Sequence, residues 1–182
     1  MKRILVLSLA LVAGFAAAVV IGKAASGPQV VTAKAQWVDY YRTPTGLVAG
    51  ADLIVVAKHL SAQPGRVVGS VPYTLNGFHI QEVVKGVHDG PALLVEQTGG
   101  RAGEIIVNID DGGPFEEGRS YLLFLKSQGN GLFYQINHQA RYELQGDVMV
   151  GVDPTDAVVA AFHNREIGPA VRFLRDRAER VK

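Results

Sequence analysis

Seven consecutive residues, Ser120 to Lys126, constrain this chain more than any other stretch. Within them Tyr121-Leu122-Leu123-Phe124-Leu125 is apolar at every position, so a strand formed here buries both of its faces. Such a strand has to be central in a sheet that is covered on both sides. The surrounding sequence supplies candidates for that sheet. Short apolar runs cover Leu53 to Ala57, Tyr73 to Val84, Ala92 to Glu96, Glu104 to Ile109, Leu132 to Ile136, Arg141 to Leu144 and Val148 to Val152. Gly, Pro, Asn and Asp clusters separate them, as in all-β domains of short strands. Ser61 to Gly69, which contains Pro64-Gly65, reads as a turn, and Gln128 to Gly131 as a hairpin turn. In Tyr73 to Val84 the apolar positions are Tyr73 and Leu75, then Phe78 and Ile80. That change of parity across Asn76-Gly77 is expected of a β-bulge, which bends a sheet toward closure.

Helices are expected at both ends of the β region. Thr43 followed by Pro44 predicts an N-cap and first position for a short helix over Thr45 to Ala51. Asp153 followed by Pro154 predicts a second over Ala157 to Phe162, and Gly168-Pro169 a restart. In that last segment Val171, Leu174, Ala178 and Val181 form one apolar stripe for packing on the sheet. Arg172 with Asp176, Arg175 with Glu179 and Asp176 with Arg180 stand four apart, so ion pairs are expected along its solvent face. The fold class is therefore mainly β, a small curved sheet or barrel with a short helix before the first core strand and a C-terminal helix.

Ahead of this lies Lys2-Arg3 and the uncharged run Ile4 to Gly22, 19 residues long. As a helix it reaches about 28 Å, close to the roughly 30 Å hydrocarbon core of a bilayer. The segment reads as a signal peptide or as a membrane anchor. Ala33-Lys34-Ala35 is an A-x-A cleavage pattern that leaves Gln36 first, and Ala24-Ala25 offers a second option. Either way the basic pair stays inside and the domain lies outside the cytoplasmic membrane, secreted or anchored. The expected division is residues 1–35 for export, 36–152 for the β domain and 153–182 for the helical segment.

The formal charge of +1 conceals an asymmetry, because every acidic residue follows Gln36 and leaves 14 basic against 17 acidic residues there. Nucleic acid is thus not an expected partner, since phosphate neutralisation needs a basic excess. The chain has no cysteine, which removes disulfides, thiolate nucleophiles and Cys-ligated zinc.

Side chains that could carry chemistry are scattered. Ser61, Ser70, Ser120 and Ser127 occupy no nucleophile elbow, and no two of the five histidines have compact metal-ligand spacing. The loop Asn108 to Glu117 gathers Asp110, Asp111, Glu116 and Glu117, which makes Asp110, Asp111 and Glu116 candidates for a weak cation site. An EF-hand template started at Asn108 fails, because Gly112 and Arg119 stand where oxygen ligands belong. Trp37, Tyr40 and Tyr41 are candidate binding residues, or else aromatics that dock the N-terminal segment on the core. No cofactor is called for.

Ala51-Asp52 leading into Leu53 to Ala57, then Glu82-Val83-Val84-Lys85-Gly86, then Gly118-Arg119-Ser120-Tyr121-Leu122-Leu123-Phe124-Leu125, resembles a group of exported bacterial proteins of unassigned function. The resemblance covers roughly Ala51 to Val148. It implies an oligonucleotide/oligosaccharide-binding (OB) type of β-barrel in its tissue-inhibitor or netrin-like form. The metalloproteinase inhibitors of that class use an N-terminal cysteine that this chain lacks, so their mechanism does not carry over. The expected function is a non-enzymatic binding or scaffold domain of the cell envelope, whose partner is an extracytoplasmic protein or envelope polymer. The alternative is a hydrolase of envelope material whose acid and base come from residues distant in sequence.

Overall fold

The computed structural model describes residues 28–33, 39–109 and 112–180. The apolar run Ile4 to Gly22, the motif residues Lys34 and Ala35, and the candidates Trp37, Asp110 and Asp111 lie outside the described residues. The chain is mainly β. Ten strands are β1 (Gln29–Ala33), β2 (Leu53–Val68), β3 (Val71–Lys85), β4 (Ala92–Thr98), β5 (Gly100–Ala102), β6 (Ile105–Ile109), β7 (Ser120–Gly129), β8 (Leu132–Gln135), β9 (Arg141–Gln145) and β10 (Val148–Gly151) among the described residues. Three α-helices accompany them among the described residues, α1 (Pro44–Gly50), α2 (Ala157–Ala160) and α3 (Ile167–Arg180), with a 3-10 turn at His138–Ala140.

Seven strands form a mixed sheet in the order β10-β9-β7-β2-β3-β4-β8, and β7 also pairs with β8. Because β7 holds β2 through its first half and β8 through its second, the pairings β2-β3-β4-β8-β7 close into a circuit. All its ladders are antiparallel except β4 with β8, where Leu94 to Glu96 run parallel to Leu132 to Tyr134. Register shifts in the β2-β3 ladder supply the curvature.

Tyr121 to Leu125 are all fully buried, as the double-sided apolar run requires. Alternation sends Tyr121, Leu123 and Leu125 into a cluster with Leu53, Val55, Ala57, Phe78, Leu93, Val95 and Phe115. The same alternation sends Leu122 and Phe124 to the opposite side, with Ile54 and Val56, where α1, α2 and α3 cover them. Rings of Phe124, Tyr142 and Phe162 meet there at centroid distances of 5.7–6.4 Å.

The short first helix forms as the sequence predicts: Thr43 caps it, its hydroxyl accepting from Gly46 N at 3.1 Å, and Pro44 takes the first turn. Its last carbonyls are held by Lys85, whose Nζ donates to Val48 O at 2.7 Å and Ala51 O at 2.5 Å.

Five expectations are corrected. Ser61 to Gly69 is not a turn, since β2 continues through it to Val68. β2 leaves β7 after Lys58, His59 still bonds the backbone of Gly118 and Arg119, and beyond it the strand is an edge, where the missing N–H of Pro64 takes nothing from an outer ladder. The bulge beside Asn76-Gly77 lies on the other strand: the step from His59/Phe78 to Ser61/Gly77 makes Leu60 the extra residue. The run Glu104 to Ile109 joins no central sheet, because β6 sits between β1 and β5 in a separate three-stranded sheet. Asp153 does not cap α2; it folds onto Thr155, and Asp156 caps the helix by accepting from Val158 N and Val159 N. On α3 the Asp176–Arg180 pair forms, but Arg175 reaches Glu82 on β3 instead of Glu179, and Arg172 forms no ion pair among the described residues.

Candidate functional site

Two polar constellations stand out, and they differ in whether their groups are free to meet a ligand. The first surrounds the N-terminal aromatics. Tyr40 donates its hydroxyl to Asp156 Oδ2 at 2.5 Å, and Gln139 Nε2 donates to both oxygens of the same carboxylate at 3.0 and 3.1 Å. With the two α2 amides at 2.8 and 3.1 Å, the lone pairs of Asp156 are taken. Burial pushes the Asp156 carboxyl up, but the hydrogen bonds from Tyr40, Gln139, Val159 and Val158 outweigh it and hold its pKa below the ordinary value. The reciprocal effect, led by the bond to Asp156, raises the Tyr40 phenol.

Tyr41 is tied down through its backbone, its N–H donating to Gln139 Oε1 and its carbonyl accepting from Gln139 Nε2. The phenol end of Tyr41 fills the space where a Cβ on residue 50 would stand, so a side chain there would push the ring aside. Burial raises the Tyr41 pKa. Asn137 adds a bond to Asp39 O, and Asp39 pairs with Lys126 at 2.8 Å. Tyr40 and Tyr41 thus fasten residues 39–41 to the domain, and their polar groups are spent in doing so.

Among the described residues one histidine, His138, comes within ion-pair reach of a carboxylate, with Nε2 at 3.6 Å from Asp156 Oδ2. The Asp156 side chain is only 3% exposed, so acid/base work on a substrate would require opening the clasp first. Glu116 is exposed and pairs with Arg119 at 3.4 Å. No group of three or more His, Asp or Glu among the described residues is placed to hold a metal ion. His59 is 1% exposed, packed on Phe78 and Phe115, with neither ring nitrogen partnered among the described residues.

The second constellation lies on the outer face of β3, β4 and β8. Register places Tyr73, Leu75 and Gly77 opposite Thr98, Glu96 and Leu94, and places Leu132 and Tyr134 opposite Leu94 and Glu96. Directly opposed residues share a face, and Leu93, Val95 and Phe78 take the other one. Leu94 is 43% exposed, while Tyr73, Leu75, Leu132 and Tyr134 are half-buried. At the centre Glu96 accepts two bonds from Arg66, 2.9 Å at Nε and 2.7 Å at a terminal nitrogen, and a third from Gln128 at 3.1 Å. The guanidinium also lies 5.0 Å from the Tyr73 ring centroid. Bidentate pairing and stacking hold this arginine in one orientation, although its side chain is 57% exposed.

None of the outer-face residues was a predicted site residue. The signal for them was the parity change in Tyr73 to Ile80: Tyr73 and Leu75 are apolar on the outer face, Phe78 on the inner one.

No protein-family model matches the chain, and no curated protein matches it.

Proposed function

We propose that this chain is an exported, non-enzymatic binding domain that takes an extracytoplasmic protein or envelope polymer on the outer face of β3, β4 and β8. The observation that carries this reading is the fixed Arg66–Glu96–Gln128 network set among Tyr73, Leu75, Leu94, Leu132 and Tyr134. An orientated arginine beside tyrosines, with apolar side chains around it, is the composition of interface hot spots. By contrast the cluster enclosed by the circuit is filled with side chains, and the carboxylate nearest a histidine has its hydrogen-bonding capacity occupied.

Export is supported by Lys2-Arg3 and the uncharged run that follows. Among the described residues no helix is long and apolar enough to cross a membrane. The OB-type resemblance is supported by the five-strand circuit with its one parallel pair. In barrels of that type the face of the second and third strands, with the flanking hairpin loops, is the usual binding surface. Those strands correspond here to β3 and β4, and the flanking tips are Gly69-Ser70 and Asn130-Gly131.

The test is retention of the purified domain on isolated envelope material. Leu94→Glu and Tyr134→Ala should each weaken retention by about tenfold or more, the scale of a hot-spot loss of roughly 1.4 kcal/mol or above, with the native circular dichroism spectrum retained in both. Retention equal to the parent in both variants would remove this face from the proposal.

A further inference from the structure

Gln29 to Ala33 pairs in parallel with Ile105 to Ile109, residue for residue, and Gln29 N donates to Glu104 O at 2.7 Å. Ala33 is 7% exposed and stands opposite Ile109, which is 5% exposed. Among the described residues the other neighbour of β6 in this sheet is the three-residue β5. Without β1, β6 becomes an open edge bearing Ile105, Val107 and Ile109, an apolar β-branched strand free of proline, which is a template for pairing with another chain. Cleavage after Ala35 would place β1 on the discarded piece. A five-residue strand cut from its chain loses the high effective concentration that covalent connection gives it, and it leaves on dilution.

We propose that maturation keeps β1: the leader is removed before Pro28, at the small residues around Gly22-Lys23-Ala24-Ala25, and not after Ala35. Gly22 and Ala24 supply the small side chains that a signal peptidase reads three residues and one residue before the cut. This inference rests on the export reading above.

The test uses the full chain carrying a tag after Lys182, expressed in a bacterium and recovered outside the cytoplasm, with its first residue read by intact mass. A mature chain starting between Ala25 and Pro28 is the expected result. In addition, Ala35→Arg should leave the mass difference and yield unchanged, whereas Ala24→Arg combined with Ala25→Arg should abolish maturation. A chain starting at Gln36, or an uncut chain in the membrane fraction, overturns the inference while leaving export intact. An uncut chain in the cytoplasm overturns the export reading, and the inference with it.

Discussion

Replacing Asp156 by alanine separates a structural clasp from a reserved catalytic carboxylate. The side chain caps α2 through two backbone amides, and losing an N-cap costs about 1 kcal/mol. It is also an acceptor for Gln139, a fully buried amide that would keep its bond to Tyr41 O but lose its charged partner. A buried donor deprived of an acceptor costs roughly 1–3 kcal/mol. The Tyr40 hydroxyl, on a half-exposed ring, turns to water at smaller cost. The expected loss is thus about 2–4 kcal/mol, or about 4–16 °C in melting temperature at roughly 2–4 °C per kcal/mol for a domain of this size. Urea denaturation of the exported domain, fitted with a common slope, measures it. His138→Ala removes only a 3.6 Å approach and should change stability far less. An Asp156→Ala domain as stable as its parent, or more stable, would refute the clasp and mark Asp156 as a group held at a cost for function.

The pH dependence follows from the same carboxylate. Its folded pKa lies below the unfolded one, so its contribution is complete above about pH 4 and is lost as pH falls through the folded value. Acid unfolding of the parent should therefore steepen below about pH 4 and be shallower in Asp156→Ala, as followed by circular dichroism. Phe124→Ala empties a fully buried site against Tyr142 and Phe162 and should cost about 3–5 kcal/mol, measured by the same denaturation. Arg66→Leu leaves the nearly buried Glu96 with Gln128 as its remaining side-chain partner and should cost about 2 kcal/mol, whereas Arg66→Leu combined with Glu96→Leu should recover most of it.

What the sequence made legible was local. The apolar run at Tyr121 to Leu125 announced its own centrality, and Thr43-Pro44 announced a helix start, because both depend on neighbours a few residues away. Pro64-Gly65 misled, since turn chemistry and edge-strand chemistry both tolerate a residue without an N–H, and only the distant partner strand distinguishes them. The cap expected at Asp153 stands three residues later, at Asp156. The choice between them was made by Tyr40 and Gln139, 116 and 17 residues away from Asp156. In the sequence the outer face shows only as a change of parity, which a bulge would produce equally well. Its meaning required knowing that Glu96 and Arg66, 30 residues apart, meet across it.

The closed circuit also carries a consequence for how the chain acquires its fold. Leu53 has no hydrogen-bonding neighbour on the β7 side until Leu125 has been reached, and Leu94 has no parallel partner until Leu132 has followed. Within the circuit the β2-β3 and β3-β4 ladders on one side and the β7-β8 hairpin on the other can form from nearby sequence. The rate of folding is then set by one long-range encounter, the arrival of β7, and topologies dominated by such contacts fold in roughly milliseconds to seconds, slower than helical bundles of equal stability. During that interval Leu53 to Ala57 lacks its cover on one side, so the waiting time for a single strand defines the window in which this chain is open to wrong partners.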